Sequence, residues 1–148
     1  MRKFVLTITL VFLCVLLIML FLGSPNAYLQ RKVGFSAILP IKSLYSYNAI
    51  DHGKDYNALY VYQFTDLDAQ RFTYYACDKQ WSKVPISPEV LELRVCEADF
   101  DIVMSEMLCV QSGYWYVDDS RRTICVFDMS EGIIYIRTAS VFAKSNPH

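Results

Sequence analysis

Histidine is nearly missing from this chain: His52 and the terminal His148 are the only two among 148 residues. That scarcity argues against hydrolytic triads and zinc sites, both of which draw on imidazole. His52 stands in Asp51-His-Gly-Lys-Asp55, where a carboxylate neighbour could orient a base. Neither a Gly-x-Ser-x-Gly elbow nor a cysteine nucleophile context accompanies it, so it reads as part of a polar turn before a strand. Cys-x-x-Cys pairs and a twelve-residue calcium loop are missing as well, so no metal and no cofactor is expected.

Positive charge is also sparse. Setting aside Arg2 and Lys3, twelve basic residues face fifteen acidic ones, a net charge near −3 for the rest of the chain. No basic stripe exists to meet phosphates, which excludes a nucleic-acid partner. Acid pairs do occur, Asp99 with Asp101 and Asp118 with Asp119. Such pairs can hydrolyse glycosides or hold calcium, but these lie in a helical stretch and a hairpin turn, where acids are ordinarily solvated. Arg121 and Arg122 follow the second pair across its own turn, a surface arrangement of little energetic weight. Internal repeats and low-complexity tracts are absent too, and the length beyond residue 27 suits one domain.

What the chain does have is an uncharged apolar run from Phe4 to Leu22, preceded by Arg2 and Lys3. As a helix these nineteen residues would span about 28 Å, close to a bilayer's hydrocarbon thickness. A cleaved signal wants a shorter core and a small-x-small site. The only candidate, Pro25-Asn26-Ala27, carries proline where a small residue is needed. The expectation is therefore a signal-anchor over residues 1–27 that contacts the membrane through residues 4–22. The N-terminus is cytoplasmic and the body outside in this single-pass reading. The alternative is a secreted or periplasmic domain released by cleavage.

Cysteine use fits an outside body. Cys77, Cys96, Cys109 and Cys125 form an even set beyond Cys14, and four cysteines allow up to two disulfides in three connectivities. Adjacent pairing would close loops worth about 3 kcal/mol each in the chain-entropy model. The competing reading is four small buried hydrophobes.

Residues 28–55 read as a juxtamembrane, irregular segment with a short strand around Ser43–Tyr47. Ala58–Phe64 predicts a strand, with Leu59 and Val61 on one face and Tyr60, Tyr62 and Phe64 on the other. Thr65-Asp-Leu-Asp68 gives a capping start for a helix to about Lys79, with Trp81 packed over its end. Ser87-Pro88-Glu89 opens a second helix to about Leu108, whose stripe includes Leu93, Cys96, Phe100, Val103, Met104 and Met107. Then Gly113–Val117, Thr123–Phe127 and Ile133–Thr138 form an antiparallel meander, the second turn ending in Gly132. The fold class is α+β: an antiparallel sheet of about four strands with two helical segments over residues 56–143, and a disordered tail at 144–148. All three meander strands are apolar on both faces, so helices and the preceding segment should cover the sheet.

Tyr114-Trp115-Tyr116 is the strongest binding hint, since aromatic strand faces stack on sugars or anchor protein partners. Against it stands the commoner role of such residues as core. The functional expectation is a non-enzymatic, membrane-anchored module that binds a protein partner in an envelope or surface complex. The alternative is an exported domain that stacks a small molecule or glycan on that triplet.

Overall fold

The strand signals at 58–64 and after Gly113 converge on a single sheet. The computed structural model describes residues 7–16, 23–51, 55–87, 101–118 and 123–139. Within them lie four helices: α1 (residues 7–16), α2 (Pro25–Val33), α3 (Asp66–Asp78) and α4 (Asp101–Leu108). Six strands accompany them: β1 (Lys42–Asp51), β2 (Asp55–Gln63), β3 (Ser82–Lys83), β4 (Gly113–Asp118), β5 (Thr123–Asp128) and β6 (Ile133–Ala139). Their order is β1-β2-β6-β5-β4-β3, antiparallel at every junction. The protein is thus α+β, as its sequence pattern implies.

Alternation along each strand splits the core in two. Tyr62, Phe64, Cys125, Phe127, Ile134 and Ile136 point to one face, where α2 and α3 contribute Leu29, Val33, Phe72 and Ala76. Leu59, Val61, Ile124, Val126 and Tyr135 point to the other, beneath Met104 and Met107 of α4 with Ile86 and Val110. The face assignments expected for β2 hold residue by residue, and the meander strands are apolar on both faces as expected. The cover differs from expectation, because α3 and α4 lie on opposite faces and α2 joins α3.

Helix α3 starts where the capping pattern placed it. Thr65 is its N-cap, accepting a hydrogen bond from the Asp68 backbone at 3.4 Å. Trp81 closes the far end, its ring 5.2 Å from Phe72 and edge-on to it. The β5–β6 turn is set by Asp128, whose carboxylate accepts from the Ser130 and Glu131 backbones, and by Gly132 at φ 65°. Gly132 then accepts from the Phe64 backbone at 2.9 Å, tying this turn to the start of α3.

Two expectations need correction. Residues 28–55 are not irregular: they carry most of α2 and the ten-residue β1, which pairs with β2 along its length. Ser24 caps α2 through its hydroxyl, Pro25 takes the first turn, and Gly34 ends the helix at φ 85°. These are ordinary start and stop signals, and Ala27, Leu29 and Val33 bury one face of the helix. The sheet has six strands rather than about four, because β1 and the short β3 extend it on either side. The apolar run, by contrast, falls partly outside the described residues. Its described part is α1, exposed throughout, and among the described residues no helix is long and apolar enough to cross a membrane. Of the second expected helix, residues 88–100 lie outside the described residues.

Candidate binding surfaces

The aromatic triplet sits on β4 next to the short edge strand β3, and strand geometry divides it. Tyr114 turns towards the α3 face, where its hydroxyl lies 3.1 Å from Cys77 Sγ. That hydrogen bond, and then burial, raise the Tyr114 pKa. Trp115 turns the opposite way and donates its indole N–H to the Lys83 carbonyl at 3.0 Å. Tyr116 stacks on Trp81, with centroids 5.3 Å apart and planes 19° from parallel. Tyr114 and Tyr116 therefore share the α3 face while Trp115 lies on the other, and each ring is engaged within the protein.

The cysteines also scatter. Cys14, Cys77, Cys109 and Cys125 are all free thiols, which corrects the expectation of disulfides among them; Cys96 lies outside the described residues. The reason is geometric: Cys125 is buried on the central strand β5, while Cys77 and Cys109 are exposed at the ends of α3 and α4. Burial, and secondarily the charge of Asp118 against a smaller opposing effect of Lys32, pushes the Cys125 thiol up to about 12. Such a thiol is inert as a nucleophile or ligand.

His52 lies outside the described residues, as do Asp99, Asp119, Arg121 and Arg122. Asp51 and Asp55 face each other across the end of the β1–β2 hairpin, and Asp101 opens α4. Among the described residues no group of three or more His, Cys, Asp or Glu is placed to hold a metal ion.

Two features that sequence reasoning missed stand out on α3. The first is Asp68, read from the sequence only as part of the capping start of α3 but 1% exposed in the fold. Its carboxylate accepts from the backbones of Ile38 at 3.1 Å and Leu39 at 2.9 Å, and from Arg71. Burial opposes ionisation, but the Leu39, Ile38 and Arg71 interactions outweigh it, holding the carboxyl below its ordinary value. Asp68 thereby pins the 34–40 loop to α3. Arg71 adds a hydrogen bond to the Ser36 carbonyl and lies over the Phe35 ring.

The second is an open groove of about 510 Å³ between α3 and the β5–β6 turn. Gln63, Asp66, Gln70 and Thr73 line one side, and Met129, Ser130 and Glu131 the other. Tyr74, 77% exposed, stands at its rim, and Met129 is 45% exposed. Tyr74 was legible as the α3 aromatic out of step with Phe72 and Ala76, but the turn opposite it was not. The groove combines apolar contact area with amide and hydroxyl groups. No family model matches the chain, and no characterised protein or solved structure is significantly similar to it.

Proposed function

We propose that this chain is a membrane-anchored, non-enzymatic module whose α+β body sits at the extracytoplasmic surface and binds a protein partner through the α3 groove. The observation that carries the reading is α1. Ile8, Leu10, Val11, Phe12, Leu13, Val15 and Leu16 are 44–68% exposed. A helix apolar on every side and uncovered by its own body calls for a non-aqueous environment. The continuing apolar sequence to Leu22 supplies the length for a bilayer. Orientation rests on Arg2 and Lys3 at a short N-terminal tail, since free thiols lend no weight to an oxidising compartment.

Alkali extraction of natively expressed protein is the test. Retention in the membrane pellet with Met1 or Arg2 at the N-terminus is expected. Recovery in the supernatant with Tyr28 at the N-terminus overturns the anchor. For the groove, a photo-crosslinking residue at Tyr74 should give discrete protein adducts in cells, while one at Ile102, equally exposed on α4, should not. Equal adducts from both positions, or none, would reject the groove as the contact. Against the alternative, an aromatic face that stacks a glycan, stand the internal partners of Tyr114 and Tyr116, Cys77 and Trp81, and the turn of Trp115 to the opposite face.

A further inference from the structure

Near the point where the apolar run joins the body, the loop that follows α2 turns its aliphatic side chains outward. Ile38 is 64% exposed and Leu39 is 39% exposed, although their backbone N–H groups are firmly held by the buried Asp68 carboxylate. Leu67, the residue before Asp68 at the start of α3, is 51% exposed. Asn26, in the first turn of α2, fixes the same loop from its other side. Its side-chain amide donates to the Leu39 carbonyl at 3.0 Å and accepts from the Ile41 backbone at 3.1 Å. The loop is thus rigidly mounted on two helix starts while its apolar groups stay uncovered.

The chain length between this mount and the run is short. Only Gly23 separates Leu22 from the capping Ser24, so about 10 Å of extended chain reaches from the run's end to Pro25. A bilayer's polar interfacial layers add roughly 5–8 Å on each side of its hydrocarbon core. We infer that Ile38, Leu39 and Leu67 rest in the interfacial layer of the membrane that takes the apolar run, so that the body is docked in one orientation rather than swinging on its tether. The inference depends on the anchor proposed above. Its occupant is a lipid surface, because the patch continues an apolar segment already assigned to that surface and no slack exists to carry it elsewhere. Aliphatic side chains on a preordered loop suit this role, since insertion costs little further conformational entropy.

The test uses the full chain reconstituted in dioleoylphosphatidylcholine vesicles, with and without dibrominated phosphatidylcholine. Ile38→Trp adds a fluorophore at the patch, and Ile102→Trp adds one on α4 as the comparison. Emission from the Ile38→Trp variant, after subtraction of the parent's Trp81 and Trp115 signal, should fall by about twofold or more when the bromines lie near the interface, and Ile102→Trp emission should not change. Vesicle-bound protein in which both positions are unquenched overturns the docking and leaves the anchor standing. Protein that floats free of the vesicles overturns both. A second variant, Leu39→Asp with Leu67→Asp in the Ile38→Trp background, should remain vesicle-bound yet lose the bromine quenching. Unchanged quenching in that variant rejects the patch as the docking element.

Discussion

The two faces of the sheet are built from different materials. On the α2–α3 face rings interlock: Phe72 lies 4.7 Å from Phe127, 4.9 Å from Phe35, and 5.2 Å from both Phe64 and Trp81. Most of these contacts are tilted or edge-on, geometries that fix the partners' orientation as well as their separation. On the α4 face the filling is mainly aliphatic and sulfur-bearing, with Met104 and Met107 over Ile124, Val126 and Leu59, and Tyr135 as the buried ring of that cluster. Methionine adapts its shape to irregular gaps. One face is therefore a rigid platform and the other a compliant one, and the α3 groove and the loop held by Asp68 stand on the rigid side.

Phe72→Ala gives the largest expected effect. The ring is fully buried, and its loss should cost about 3–5 kcal/mol in urea unfolding of the detergent-solubilised chain. A cost below about 1 kcal/mol would break the contrast between the faces.

Asp68→Asn comes next, at about 2 kcal/mol, because it weakens charge-assisted hydrogen bonds that hold the 34–40 loop. Its pH dependence has a definite sign. The folded carboxyl titrates below its ordinary 3.8, so its stabilisation is present above that value and is lost as pH falls through the folded pKa. The difference between variant and parent should shrink below pH 3.8; a difference that is constant down to acid would show that the charge is irrelevant.

Thr65→Ala removes the α3 cap and should cost about 1 kcal/mol. Because α3 carries Phe72, Asp68 and the groove, the loss should be accompanied by faster hydrogen exchange at Asp68 and Ala69 and leave α4 unchanged. Met107→Leu, on the compliant face, should cost less than about 1.5 kcal/mol despite complete burial. A larger loss would mean that this face is as specifically packed as the other. Thiol alkylation sharpens the same picture: Cys77 and Cys109 should label in the native protein, while Cys125, held near 12 inside the rigid face, should label only on unfolding.

Much of this architecture is visible in residue patterns, for reasons that are local. Thr65 with Asp68 announces a helix start, and alternation assigns Ile124 and Val126 against Cys125 and Phe127 without any tertiary knowledge. Helix α2 was hidden because Ser24 and Pro25 follow the apolar run so closely that they read as its ending. Strand β1 was legible only over Ser43–Tyr47, because Lys42, Ser43, Ser46 and Asn48 show little apolar alternation; its full length depends on pairing with β2. The site was harder still. Asp68 has the sequence of a surface acid, and only the return of the 34–40 loop, thirty residues earlier, encloses it. Tyr114, Trp115 and Tyr116 attracted notice as a triplet, yet adjacency along a strand is what sends neighbours to opposite sides.

The junction of β2 with β6 also governs how the protein is made. Asn57 pairs with Ala139, so the first hairpin finds its inner neighbour only after some eighty further residues have been synthesised. A chain threaded N-terminus first would have its β1–β2 hairpin waiting, with the inner edge of β2 unpaired, until the final strand arrived. Distant pairings of this kind close late and expose aggregation-prone edges meanwhile. The bulge between Ser43 and Tyr45 and the lysine at the head of β1 disfavour pairing at the outer edge with another nascent copy. In that view β1 is a guard for the unfinished sheet during biogenesis, before it becomes the border of the finished one.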